Sequence, residues 1–150
     1  MSIALDTNIL AYAEGVNGDE QRKVALGRID RLRQNEIVIP VQVLGELFNV
    51  LVRKAGRSPE VARAVVAEWH DSHLTLETTP ATLAAACDLA VDHQFRVWDA
   101  VILAVASRAG CRLLLSEDLH HGFTWGGVTI VNPFAMPPHP LLDILLGDAP

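Results

Sequence analysis

The stretch that decides the fold is Ile3-Ala4-Leu5-Asp6-Thr7-Asn8, close to the start of the chain. Three apolar residues lead to a carboxylate and then to two hydrogen-bonding side chains, which predicts a buried strand followed directly by a helix. Thr7 or Asn8 is expected to cap that helix, and Asp6 itself is the alternative cap. Ligands of open parallel sheets bind at the carboxyl ends of the strands, so Asp6 is a candidate site residue.

Further apolar runs with the character of strands alternate with helical patterns along the chain. This alternation predicts right-handed crossovers and a mostly parallel sheet that is covered by helices on both faces. Two helix starts are marked by a hydroxyl residue followed by proline, at Ser58-Pro59 and Thr79-Pro80. The expected strands are residues 2–5, 36–39, 74–76, 112–115 and 128–131.

The composition is that of one globular domain. The chain has 150 residues, of which 50% are apolar and 20% charged, enough to bury a single core. No apolar run approaches the length of a membrane span and the first residues do not resemble a signal peptide, so we expect a cytoplasmic protein without a membrane partner. Cys87 and Cys111 lack metal-site spacing and are expected to be small buried residues.

The net charge of −6 taken alone argues against a nucleic-acid partner, but the charges are unevenly distributed. Residues 22–63 contain nine Lys and Arg against four Asp and Glu. No Lys or Arg follows Arg112, whereas four acidic residues do. The basic segment is able to face a polyanion, and ordinary exposed salt bridges are the alternative interpretation.

Four carboxylates have mainly apolar neighbours: Asp6, Glu46, Asp99 and Asp118. A buried carboxylate is unfavourable unless it caps a helix, forms an ion pair or binds a metal. If the four converge, their mutual repulsion requires cations, and Mg²⁺ or Mn²⁺ suits an all-oxygen set of ligands. The six histidines form no metal-binding motif, although His120 is a candidate for a supporting role.

Five short motifs, in this order and spacing over residues 1–134, closely resemble the PIN-domain ribonucleases, particularly the VapC-type toxins of bacterial toxin–antitoxin pairs. The motifs are Leu5-Asp6-Thr7-Asn8, Val43-Leu44-Gly45-Glu46-Leu47, Trp98-Asp99-Ala100, Leu114-Leu115-Ser116-Glu117-Asp118-Leu119 and Val131-Asn132-Pro133-Phe134.

The resemblance implies a three-layer α/β/α sandwich with a central, mostly parallel sheet, and an endoribonuclease that uses Mg²⁺ or Mn²⁺. It assigns catalysis and metal binding to an acidic quartet, with Asn8 and Ser116 in support and Glu117 as a competitor of the last member. It also implies an RNA substrate, a small antitoxin partner and a homodimer. The quartet is Asp6, Glu46, Asp99 and Asp118.

The resemblance places the nuclease domain at residues 1–134 and leaves residues 135–150 as a Pro-rich C-terminal extension. The extension departs from the compact pattern of the family. It therefore leaves open how an oligomer or an antitoxin would be contacted.

We hypothesise that a metal ion held by Asp6 and Asp99 activates a water for in-line attack on an RNA phosphodiester. A binding module that acts through a protein partner is an alternative. A phosphotransfer domain is a weaker one, because such domains generally use a lysine late in the chain and Lys23 and Lys54 are the only lysines. The apolar face of Leu47, Phe48 and Leu51 suits a groove for a partner, a homodimer contact or the core.

Overall fold

A computed structural model of the chain describes residues 1–33 and 35–147. Its strands form one sheet in the order β3-β2-β1-β4-β6-β5, in which only the β5–β6 pair is antiparallel. The strands are β1 (Ser2–Leu5), β2 (Glu36–Pro40), β3 (Leu74–Leu76), β4 (Leu113–Leu115), β5 (Thr124–Trp125) and β6 (Val128–Val131).

Helices connect and flank the strands, so the predicted α/β sandwich is confirmed. Within the described ranges they are α1 (Thr7–Ala13), α2 (Asp19–Arg31), α3 (Val41–Arg53), α4 (Pro59–Ser72), α5 (Pro80–His93), α6 (Val97–Arg108) and α7 (Pro140–Leu146). None of these helices is both long enough and apolar enough to cross a lipid bilayer.

The centre of the sheet positions the site. Strand β1 lies between β2 and β4 and is parallel to both, with Leu5 paired to Leu115. The backbone N–H of Asp6 donates to the carbonyl of Leu115 over 2.9 Å. The carboxyl ends of β1 and β4 therefore meet at one edge, where Asp6 and Ser116 leave the sheet side by side. The chain runs outward from β1 to β2 and β3 and then crosses back to β4 on the other side of β1, so the point between β1 and β4 is a topological switch point.

Some local predictions are confirmed and others are wrong. Ser58 and Thr79 cap α4 and α5 as expected. Helix α1, however, is capped by Asp6, whose side chain accepts from the Thr7 backbone N–H, and not by Thr7 or Asn8. The sequence also did not predict β5, because two residues are too few to show a periodic pattern.

Cys111 is buried, but Cys87 is exposed, contrary to the prediction. The buried face of α5 carries Ala86 and Leu89. Cys87 follows Ala86 by one residue, which turns its side chain about 100° away from that face. The Ala-rich surroundings of Cys87 indicated a helix and did not indicate which face it presents.

The core lies between the sheet and the helices. Leu47 and Leu51 of α3 are fully buried and Phe48 packs against them, so this apolar face belongs to the core and not to an open groove. Leu142 and Leu146 of α7 are also buried in the core. The described part of the predicted extension therefore packs onto the domain, whereas residues 148–150 lie outside the described residues.

Candidate active site

Asp6 is the most buried carboxylate of the site, with 5% of its surface exposed. Its Oδ1 accepts from the Thr7 backbone N–H over 2.7 Å and its Oδ2 accepts from the Ser116 hydroxyl over 2.6 Å. Both contacts follow from the topology, because Asp6 directly follows β1, caps α1 and lies beside the end of β4. The side chain is held in one orientation by the first backbone N–H of α1 and by a hydroxyl that directly follows β4.

Asn8 and Ser116 connect the ends of β1 and β4. The Asn8 amide donates to Asp118 Oδ2 over 3.1 Å, and its carbonyl oxygen accepts from the Glu117 backbone N–H over 3.2 Å. The Ser116 hydroxyl also accepts from the backbone N–H of Leu119 over 3.3 Å. These bonds fix the loop after β4 against the start of α1 and hold Asp118 beside Asn8.

Glu46 reaches the site from α3. Its Oε2 accepts from the Thr7 hydroxyl over 2.5 Å and its Oε1 accepts from the Gln42 amide over 3.1 Å. Gln42 precedes Glu46 by four residues and so lies on the same face of the helix. Thr7 thereby supports Glu46, a role that the sequence analysis did not assign to it.

Asp99 lies in the first turn of α6, directly before a run of buried residues at positions 100–106. It is half-buried, and burial is the main cause that raises its pKa. The negative charges of Glu46 and Asp118 raise it further, whereas the positive charge of Arg96 lowers it. The charges of Glu46 and Asp118 therefore act on Asp99, although these three residues come from different parts of the chain.

The four carboxylates, which we call the acidic centre (Asp6, Glu46, Asp99 and Asp118), line one cavity of about 510 Å³, the main cavity. Glu117 does not line it and instead faces the Tyr12 hydroxyl. A second cavity of about 450 Å³ shares Asp99 and Asp118 and extends along Arg96 and His120. The acidic centre therefore lies between two concave surfaces.

Electrostatics at the centre disfavour a full set of negative charges. The pKa of Asp6 is raised to about 6, mainly by burial. Hydrogen bonds from Ser116 and Thr7 lower it, and the charges of Asp99 and Glu46 raise it again. A cation placed among these groups would lower the pKa of Asp6 and relieve the repulsion.

The donor set fits a hard divalent cation. It consists of carboxylate oxygens supported by a hydroxyl and an amide, with no thiolate or imidazole in the main cavity. Within residues 1–33 and 35–147, no group of three or more His, Cys, Asp and Glu side chains forms a ready-made metal cage. Mg²⁺ does not require one, because it is commonly held by one or two carboxylates together with waters and substrate phosphates.

The sequence analysis did not single out several residues that line the main cavity, although Lys54 belongs to the basic segment of residues 22–63. Tyr12 and Asn17 follow α1 outward from the acidic centre, and Lys54 does so at the end of α3. A helical offset of eight residues from Glu46 was the available signal for Lys54. Tyr12 and Asn17 had none, because the lining of a cavity depends on how α1 packs against α3.

Comparison with protein families identifies the fold class. The family model of the PIN domain matches residues 3–122, and the chain therefore belongs to the PIN-domain family. This membership decides against the phosphotransfer alternative.

Solved structures with the same fold include a toxin and a toxin–antitoxin complex. The toxin VapC20 of Mycobacterium tuberculosis, described as cleaving the Sarcin-Ricin loop, is 24% identical with a TM-score of 0.61, covering 75% of this chain and 86% of that one. A toxin–antitoxin complex from Klebsiella pneumoniae is 18% identical with a TM-score of 0.64, covering 89% and 99%.

FitAcB from Neisseria gonorrhoeae is 19% identical to this chain with a TM-score of 0.60, covering 89% of this chain and 99% of that one. At these identities the likeness shows a shared fold. No match was found among curated proteins.

Proposed function

We propose that this protein is an endoribonuclease that depends on Mg²⁺ or Mn²⁺ and is the toxin of a toxin–antitoxin pair. The observation that carries the proposal is the main cavity of a PIN-domain chain, which is lined by buried Asp6 together with Glu46, Asp99 and Asp118. Burial raises the pKa of Asp6 to about 6, and a bound cation would stabilise the charged form of this carboxylate.

Asp6 and Asp99 would hold the metal, with Glu46 and Asp118 placed to bind a second ion or a water. A bound Mg²⁺ or Mn²⁺ would supply an activated water and would neutralise charge that develops on the phosphate oxygens. Ser116 and Asn8 keep Asp6 and Asp118 in place. Thr7 and Gln42 do the same for Glu46, so its carboxylate needs little reorganisation during the reaction.

The acidic centre lies between the main and second cavities, and this position favours cleavage inside an RNA chain. An RNA chain that extends from the acidic centre into both cavities does not need a free 5′ or 3′ end in order to bind. Lys54 lines the main cavity and Arg96 lines the second cavity. Each cavity therefore has one cation that could contact phosphates of the RNA backbone. This distribution supports an RNA substrate despite the net charge of −6.

An antitoxin partner and a homodimer belong to the same proposal. Structures with the same fold include a toxin–antitoxin complex from Klebsiella pneumoniae and a VapBC2 complex from Rickettsia felis bound to promoter DNA. A basic side chain of an antitoxin would be attracted by the acidic centre and would compete with the metal.

The deciding experiment incubates the purified protein with linear RNA and with covalently closed RNA circles in Mg²⁺, Mn²⁺ or EDTA. We expect metal-dependent cleavage of both substrates, and a loss of about a hundredfold or more in Asp6→Asn and Asp99→Asn. Cleavage that survives EDTA would contradict the metal mechanism. Failure to open the circles would contradict internal cleavage, and no cleavage of either substrate would favour the alternative of a binding module.

A further inference from the structure

The main cavity continues well beyond the acidic centre. Its far part, which we call the outer chamber, runs along α1 and α3 and is lined by Tyr12, Val16, Asn17, Asn49, Val50 and Lys54. From Glu46 to Lys54 the helix advances by eight residues, about 12 Å at 1.5 Å per residue. The chamber is therefore larger than a metal centre and one phosphate require.

The chemistry of the cavity changes along this path. All four carboxylates lie at the inner end, whereas the described lining of the outer chamber contains no carboxylate and one cation, Lys54. The rest of that lining is two amides, two valines and an aromatic ring. A lysine suits a phosphate, amides suit the edges of a base, and apolar or aromatic surfaces suit its face.

Two polar groups of the chamber are free to bind a ligand. Among the residues that the structure describes, no side-chain hydrogen bond or ion pair holds Asn49 or Lys54, and both residues are exposed. Asn17 differs, because its side chain is hydrogen-bonded to the Tyr12 hydroxyl. Asn49 and Lys54 are therefore the groups that a bound molecule would engage first.

The walls of the chamber are joined by fixed contacts. Arg57, which follows α3, forms an ion pair with Glu14 at the end of α1 over 3.3 Å and also donates to its backbone carbonyl. The ring of Tyr12 packs edge-on against Phe134 with a centroid distance of 5.4 Å. The chamber thus keeps its shape without a ligand, which reduces the ordering that binding requires.

We propose that the outer chamber is a nucleotide-recognition subsite for the residue on one side of the scissile bond in single-stranded RNA. Lys54 binds a backbone phosphate, Asn49 hydrogen-bonds the edge of the base, and Val16 and Val50 contact its face. The proposal rests on the proposed nuclease function. A basic protein segment suits this part less well, because Lys54 would repel it.

Binding is measured without cleavage, in EDTA, with fluorescently labelled hexaribonucleotides at several salt concentrations. Lys54→Ala should weaken binding about three- to tenfold and reduce the slope of log affinity against log salt by about 0.7. The control is Arg108→Ala, which removes the same charge from an exposed residue about 13 Å from Asp99 along α6 and should not change either value. Equal effects of the two variants would overturn the phosphate contact.

Recognition of the base is measured by sequencing the products of a randomised RNA cleaved in Mg²⁺. The wild type should prefer one base at a position next to the cut, and Asn49→Ala should reduce that preference about tenfold. Asn49→Asp, which loses the amide donor, should change which base is preferred. An unchanged cleavage profile in both variants would overturn the subsite while leaving the nuclease intact.

The two proposals fail in different ways. A wild type that neither binds nor cuts RNA would contradict the proposed function itself. Variants of Lys54 and Asn49 that treat RNA normally but lose affinity for a co-purified antitoxin would instead assign the chamber to a protein partner, which also overturns the subsite.

Discussion

Asp6 combines three structural duties in one side chain. It directly follows β1, caps α1 and accepts a hydrogen bond from the Ser116 hydroxyl while it is nearly excluded from solvent. The Thr7 N–H, the Ser116 hydroxyl and the Asn8 amide all donate to it, but they do not offset burial, which raises its pKa to about 6. A buried and fixed carboxylate of this kind is suited to binding a cation, whereas its charge destabilises the metal-free fold.

Asp6→Asn should therefore stabilise the metal-free protein. A pKa raised from 3.8 to about 6 corresponds to about 3 kcal/mol against the charged form, and an asparagine retains an acceptor for the Thr7 N–H. The pKa of Asp6 is higher in the folded protein than in the unfolded chain. The contribution of protonated Asp6 to the free energy of unfolding is therefore complete below about pH 4 and is lost as the pH rises to about 6.

The increase in the free energy of unfolding caused by Asp6→Asn should thus be small near pH 4 and reach roughly 1–3 kcal/mol above pH 6. Urea unfolding in EDTA at three pH values measures it, with Asp118→Asn at an exposed carboxylate as the control. A gain that does not depend on pH would show that burial of the charge is not its cause.

At the scale of elements, four segments deliver the acidic centre to one edge of the sheet. The ends of β1 and β4 are neighbours because the strands pair, while α3 and α6 bring Glu46 and Asp99 from the helical layers. Helix α7 has a different task. Its buried Leu142 and Leu146 extend the core, and the Arg31 guanidinium donates to the carbonyl of Leu146 over 2.9 Å.

The contribution of α7 is tested by Leu142→Ala against Ile144→Ala in the same helix. Leu142 is fully buried, so its truncation should lower the free energy of unfolding by about 2–5 kcal/mol. Ile144 is 68% exposed and its truncation should change stability by about 0.5 kcal/mol or less. Small and equal effects in urea unfolding would instead support a domain that ends at residue 134.

At the scale of the whole molecule, the distribution of charge matters more than its sum. The net charge of −6 includes four carboxylates that face one cavity, whereas residues 22–63 carry an excess of cations. A bound divalent ion would reduce the negative charge at the acidic centre, where a phosphate would approach. Under the proposed function, the acidic centre would bind the cation and the neighbouring basic residues would face the RNA backbone.

Mg²⁺ and Mn²⁺ should stabilise the folded protein through the acidic centre. A ligand at ten times its Kd adds about 1.4 kcal/mol to the free energy of unfolding. Thermal unfolding in MgCl₂ should show this increase in the wild type and little of it in Asp99→Asn, with NaCl of equal ionic strength as the control. An equal increase in both proteins would show that the ion acts elsewhere.

The sequence was a good guide to local features and a poor one to faces and cavities. The caps at Ser58 and Thr79 were predictable because capping needs only neighbouring residues. The exposure of Cys87 and the position of Lys54 in the cavity were not, since each depends on which side of a helix its neighbours cover.

The sequence by itself determined the alternation of strands and helices, the carboxylates at the strand ends and the uneven charge, because each is a property of nearby residues. Only the tertiary structure decided which side chains meet. Thr7 and Glu46 are 39 residues apart, and Asn8 and Asp118 are 110 apart. Contacts over such distances follow from strand order and helix packing, which no local pattern encodes, and they give Asp6 its burial and its raised pKa.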